Sequence, residues 1–176
     1  MIETERLLLR KPRLDDATGV AEYLSDPEVM RFIGGVDPEH EASEVVCQWL
    51  ERWEANGFGH FVVERREDGR FLGRAGLVVW DTQSWRNTTL REAGEHAQPE
   101  LGWTLVREHW GKGYATEAVQ AVRYWAHHEL ALERLISLIH PDNVRSIRVA
   151  ERLGAQPTET VTLDSGVAVV VWVHPR

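Results

Sequence analysis

The chain has 176 residues, 43% of them apolar, and a formal net charge of −8. That length supports one domain, 1–176, with a substantial core, and an acidic balance without a segregated basic run excludes nucleic acid as the expected partner. The single cysteine, Cys47, excludes an intramolecular disulfide and four-cysteine zinc schemes.

The first residues, Met1-Ile2-Glu3-Thr4-Glu5-Arg6, contain no apolar h-region, and no run of about 18 apolar residues occurs anywhere. The expectation is a cytoplasmic protein with no membrane partner. Eight tryptophans supply large amphipathic surfaces that suit either a core or a pocket wall.

Leu7-Leu8-Leu9 reads as a short strand, and Asp15 or Asp16 offers an N-cap for a helix through Val20, Tyr23 and Leu24. Pro27 punctuates the chain before Val29 to Ile33, and Gly34-Gly35 ends that stretch. A second helix is predicted from about Glu39 to Ala55, with Val45, Val46, Trp49, Leu50 and Trp53 on one stripe and Asn56-Gly57 closing it. Trp49 and Trp53, one turn apart, read as core.

The period then changes to two. Phe61 to Glu64 and Leu72 to Trp80 read as strands joined by the turn Glu67-Asp68-Gly69-Arg70. Asp81 to Pro99 is polar and patternless and is predicted to be a long loop. Glu100 to Val106 is a further strand that leads into Trp110-Gly111-Lys112-Gly113-Tyr114 and then a helix with apolar positions Ala115, Ala118, Val119, Val122, Trp125 and Ala126. Leu135 to Ile139 is a buried-type strand, and Val144 to Leu153 a short helix ended by Gly154. Two strands, Thr158 to Leu163 and Val167 to Val173, meet at the hairpin turn Asp164-Ser165-Gly166.

The glycine turn is where chemistry is expected. Gly111 and Gly113 let backbone approach a ligand closely, and the first N–H groups of the following helix point at whatever occupies the turn. An anion such as a pyrophosphate gains from those donors and from the helix dipole, with Lys112 as added charge. A tight strand-to-helix turn alone accounts for the glycines equally well. A P-loop needs a spacing and a Gly-Lys-Ser or Gly-Lys-Thr ending that are absent, and a dinucleotide fingerprint needs a third glycine where Thr116 stands.

Taken further, Glu100-Leu-Gly-Trp-Thr-Leu followed by Trp110-Gly-Lys-Gly-Tyr-Ala-Thr-Glu-Ala118 resembles the acetyl-CoA motif of the GNAT superfamily, in particular its ribosomal-protein-alanine acetyltransferase (RimJ/RimL-like) branch. Asn143-Val-Arg-Ser146-Ile-Arg-Val-Ala-Glu-Arg-Leu-Gly154 is similar to that branch's second cofactor segment, and Thr4-Glu-Arg-Leu-Leu-Leu-Arg10 to its first strand. The chain departs from the pattern at Arg107, Glu108 and Ala155, and at Ala150, where many GNAT enzymes carry a tyrosine.

The resemblance implies an α/β (α+β) fold: a mixed, mostly antiparallel twisted sheet of about seven strands with helices on both faces. It implies that strand backbone near Trp103 and Leu105 pairs with the pantetheine arm of acetyl-CoA, and that amides of Trp110, Gly111, Lys112, Gly113, Tyr114 and Ala115 hold its pyrophosphate. Asn143 would bind the same arm, or simply cap its helix. The activity implied is direct N-acetyl transfer to a primary amine, either a protein N-terminus or a small molecule, by an enzyme whose relatives are often homodimers.

Such transfer needs a neutral nitrogen, a polarised thioester and a proton for the departing thiolate. Glu100 is the candidate base, directly or through water, although a strand-end carboxylate can equally be a solvated ion-pair partner. His96 and Glu95 are weaker candidates. With Ala150 at the tyrosine position, Ser146 is the candidate proton donor and a cofactor contact, against a plain back-bond to a helix carbonyl. No metal is expected, because His127-His128 cannot share a helix face and lack companion ligands. The alternative function is a non-catalytic acyl-CoA-binding regulatory module.

Overall fold

The computed structural model of the chain describes residues 1–33 and 42–176. Its elements in order are β1 (Ile2–Glu3), β2 (Leu7–Arg10), α1 (Ala17–Leu24), α2 (Pro27–Met30), α3 (Ala42–Asn56), β3 (His60–Arg65), β4 (Phe71–Asp81), β5 (Arg86–Thr88), α4 (Leu90–Ala93), β6 (Ala97–Leu105), α5 (Tyr114–His128), β7 (Ile136–Ile139), α6 (Val144–Arg152), β8 (Gln156–Thr162) and β9 (Ala168–Val173). The expected first turn of the second helix, from Glu39, and the Gly34-Gly35 break lie outside the described residues.

The strands form one sheet in the order β1-β2-β3-β4-β6-β7-β9-β8, with β5 added beside β4. Every registered pairing is antiparallel except β6 with β7. The architecture is the expected mixed sheet. Its nine strands among the described residues exceed seven because two-residue β1 and three-residue β5 are too short to announce themselves by alternation.

Strand alternation divides the core between two faces. Phe61, Val63, Ala75, Leu77, Val79, Leu101 and Leu105 pack with the buried stripe Ala118, Val119, Val122 and Ala126 of α5. Val62, on the opposite face of β3, packs with Val20 and Tyr23 of α1 and with Val46 and Trp49 of α3. Trp49 and Trp53 are both core residues, as their spacing predicted. Burial of each Val, Leu or Phe side chain among them contributes about 1.5–3 kcal/mol.

The segment 81–99 is not a long loop. Asp81 Oδ1 accepts from the amides of Gln83 and Ser84 at 2.7 and 3.0 Å, which closes a turn. The turn lets Arg86–Thr88 pair back onto Val79–Asp81. Thr89 and Glu92 then form a reciprocal capping box that starts α4. The Thr-x-x-Glu spacing is the visible signal for that turn of helix. β6 begins at Ala97, three residues before the predicted Glu100.

Candidate active site

β6 carries the site. Toward β4 it is paired along its whole length, from Gly73↔Leu105 to Asp81↔Ala97, whereas toward β7 only Glu100↔Ile136 is registered. A continuing parallel ladder would send the Leu138 N–H to the Leu101 carbonyl. Instead Ser137 Oγ donates to the Leu101 carbonyl at 2.6 Å, and the Leu138 N–H points at Glu100 Oε1, 3.4 Å away. The two strands part at this point.

Ser137 uses its one hydroxyl hydrogen on Leu101, so it accepts from His174 Nε2 at 2.8 Å. Burial lowers the His174 pKa from 6.5 to about 4, and the charges of Arg123 and His127 act in the same direction. The wedge that holds the strands apart is thus a buried Ser–His pair.

Because the Leu101 carbonyl faces β7, alternation turns the backbone groups of Trp103 and Leu105 to the same open edge. Trp103 has no backbone partner there among the described residues. The Leu105 carbonyl is taken by the Trp110 indole at 2.8 Å, which leaves the Leu105 N–H.

At the far end of β6 the chain enters the glycine turn. Gly111 and Gly113 have φ of 74° and 83°, the left-handed region in which a Cβ costs about 1–2 kcal/mol. Gly113 is the N-cap of α5. The amides of Gly111, Lys112, Gly113, Tyr114 and Ala115 find no partner among the described residues, and a Cβ on Gly111 would meet nothing within 4 Å. This row of unpaired N–H groups at a helix start fits a pyrophosphate.

The turn is braced from below by β2 and the residues before it. Arg6 Nη1 donates to the Lys112 carbonyl at 3.0 Å and Arg6 Nε to Glu117 Oε2 at 2.7 Å. The Arg6 amide and Thr4 Oγ1 donate to Glu117 Oε1 at 2.9 and 2.6 Å. Burial opposes ionisation of Glu117, but these donors outweigh it and its pKa is lowered. The opening Thr4-Glu5-Arg6 therefore fixes the shape of the turn, a role the sequence reading did not assign.

The start of α6 supplies the other wall. Asn143 is its N-cap, with Oδ1 accepting from the Ser146 amide at 3.2 Å. Ser146 is half-buried, and among the described residues its hydroxyl makes no back-bond to a helix carbonyl. Arg145 lies over the Trp110 ring at 4.4 Å and pairs with Glu28 at 2.9 Å, which brings α6, the turn and α2 together. Ala150 is fully buried beside Ile139, Ala155 and Trp172, so no phenol reaches the site from that position.

Glu100 stands where β6 and β7 divide. Its Oε2 accepts from the Trp80 indole at 2.6 Å. Burial raises its pKa, while the Trp80 and Leu138 N–H groups and the nearby Arg74 charge pull it back. A carboxylate with a raised pKa suits a general base. Glu95 and His96 lie in a short turn and pair with each other at 3.6 Å.

Sequence reasoning missed the companions of Glu100. Arg74, Gly76, Val78 and Trp80 of β4 share the sheet face of Glu100 and Gly102 by register. Arg74 Nη1 lies 2.8 Å from His60 Nε2, and the buried Tyr23 phenol is its neighbour. Burial and the Arg74 charge lower the His60 pKa well below the usual histidine range, so His60 is neutral. A lone arginine in the apolar run Phe71-Leu-Gly-Arg74-Ala-Gly-Leu-Val-Val-Trp80 was the available signal.

Residues 6–156 match the model of the acetyltransferase (GNAT) domain. The chain is 32% identical over 158 residues to the uncharacterized N-acetyltransferase p20 of Bacillus licheniformis, covering 87% of this chain and 80% of that protein. The crystal structure of an acetyltransferase from Agrobacterium tumefaciens superposes with a TM-score of 0.81 at 28% identity, covering 99% of this chain and 94% of that one. The RimL ribosomal L7/L12 alpha-N-protein acetyltransferase, at 12% identity and a TM-score of 0.76 over 100% of this chain and 96% of that one, shares the fold. Together with the parted strands and the amide-lined turn, the family match means that the chain belongs to the GNAT acetyltransferases, enzymes that take their acetyl group from acetyl-CoA.

Proposed function

We propose that the chain acetylates a primary amine by direct transfer, with the acceptor over Gly102 and acetyl-CoA in the gap between β6 and β7. The observation that carries this reading is the position of Glu100 at the point of division, at the inner end of the open edge that leads to the unpaired amides of 111–115.

Acetyl-CoA supplies the activated thioester. The open edges of Trp103 and Leu105 pair with its amide-bearing arm as an added strand would, and the amides from Gly111 to Ala115, with Lys112 nearby, hold the pyrophosphate, whereas the Trp110 amide, expected among them, donates to the Arg107 carbonyl at 3.1 Å. Asn143 contributes its amide nitrogen to the same arm while its oxygen caps α6. Glu100 accepts the amine proton, and the Ser146 hydroxyl, free of a back-bond, donates toward the departing sulfur.

The likeness of the motifs to the RimJ/RimL-like branch supports peptide N-termini and small amines as acceptors to test, and a homodimer is the proposed state. Calorimetric titration with acetyl-CoA, followed by thiol release across N-terminal peptides, amino acids and polyamines, tests the reading. Binding with release for one acceptor class supports it. Binding without release for any acceptor defeats amine transfer, and absence of binding defeats the cofactor placement.

A further inference from the structure

The acceptor side of the cleft contains a cation that the acetyl-transfer step does not require. Arg74 and Glu100 flank Gly102: a Cβ built there would lie 3.7 Å from Arg74 Nη1 and 3.6 Å from Glu100 Oε1. Gly102 itself is half-exposed in the middle of the sheet, so the floor between the two charges is open.

Among the described residues no carboxylate lies within salt-bridge distance of Arg74, Glu100 included. Its close polar neighbours are His60 and Tyr23, neither of which carries charge near neutral pH. A half-buried guanidinium whose hydrogen-bonding partners are neutral, and which Glu100 meets only through space, leaves attraction for an anion unused. The other arginines around the site are committed: Arg6 to Glu117, Arg107 to Asp26 and Arg145 to Glu28.

From this arrangement, and resting on the amine-transfer reading above, we infer that the acceptor is a small zwitterion, an amine with a carboxylate or similar anion one or two carbons away. Its amine meets Glu100 and its anion meets Arg74. The pair across Gly102 is complementary in sign and order to such a molecule. An unblocked amino acid satisfies both groups. A peptide N-terminus presents a neutral amide where the anion belongs, and a polyamine brings a second positive charge toward Arg74.

The test compares free amino acids with their carboxamides, in matched pairs such as serine, methionine and phenylalanine. The ratio of kcat/KM, acid over amide, is measured in the wild type and in Arg74→Gln. It is expected to fall by about tenfold or more in the variant, the effect of losing a charge-assisted bond, and Arg74→Lys is expected to keep part of the preference. An unchanged ratio overturns the inference.

A second measurement uses the wild type alone, so that a variant that fails to fold does not blunt the test. With CoA bound, N-acetyl amino acids are expected to inhibit at least about tenfold more tightly than their N-acetyl carboxamides, and equal inhibition overturns the inference. Transfer only to carboxamides or peptides defeats the zwitterion while leaving amine transfer standing. Acetyl-CoA binding with no transfer to any acceptor defeats both.

Discussion

The Trp80 indole donates to Glu100 Oε2 at 2.6 Å, and this bond favours the ionised carboxylate against its burial. Burial alone pushes the Glu100 pKa up; Trp80 is the largest influence in the other direction. Glu100→Gln is expected to lower kcat by about 100-fold or more with acetyl-CoA affinity retained. Trp80→Phe removes the donor, so the acid limb of the kcat/KM profile is expected to move to higher pH. Steady-state kinetics from pH 5 to 9 checks both, and a Glu100→Gln enzyme with full turnover removes Glu100 from the reaction.

The same carboxylate carries a stability cost with a definite sign. Its folded pKa is raised above the ordinary 4.5, so between that value and the raised one the native state binds more protons than the unfolded chain, and stability falls as pH rises through this window. Glu100→Gln cannot ionise. Its melting temperature is expected to exceed that of the wild type at neutral pH, with the gap shrinking on acidification toward pH 4. A gap that is constant across pH contradicts this account of the site.

At Gly111 the structure separates strain from ligand contact. With φ at 74° and open space where a Cβ would project, Gly111→Ala is expected to cost about 1–2 kcal/mol of stability through backbone strain. Gly111→Asp adds a carboxylate against the site of the pyrophosphate and is expected to weaken acetyl-CoA binding at least about tenfold beyond the alanine variant. Thermal melts and calorimetry on the two variants distinguish the effects. Equal affinities would mean that the pyrophosphate lies elsewhere.

What was legible in the sequence was the backbone of the site. The run from Glu100 through Gly113 into an amphipathic helix declares a strand, a tight turn and a helix start by period and composition, and all three are in the structure. Its side-chain companions were hidden, because strand pairing decides which residues of β4 stand beside Glu100, and a register cannot be read from one strand. Arg74 and Trp80 joined the site only through Arg74↔Thr104 and Trp80↔Gln98. Ser137 was concealed for a related reason: within Ile136–Ile139 nothing marks the residue whose hydroxyl replaces a ladder bond. The segment 81–99 was misread because its order comes from side-chain caps at Asp81 and Thr89, which carry no hydrophobic period.

His174 ties the parted strands to pH. Its pKa, lowered from 6.5 to about 4 mainly by burial, means that the unfolded chain binds more protons than the native one between those values. Stability rises with pH across that interval, is complete above about 6.5 and is lost as pH falls toward 4. Glutamine at 174 can still donate to Ser137 Oγ but cannot be protonated. In His174→Gln the decline of melting temperature between pH 6.5 and 4 is expected to be shallower, though not abolished, because buried His60 carries a shift of the same sign. The wild type is also expected to lose acetyl-CoA affinity more steeply than His174→Gln below pH 5, since a charged imidazole beside Ser137 disturbs the wedge at Leu101. Parallel melting and binding curves for the two proteins would show that the Ser137–His174 pair does not hold the strands apart.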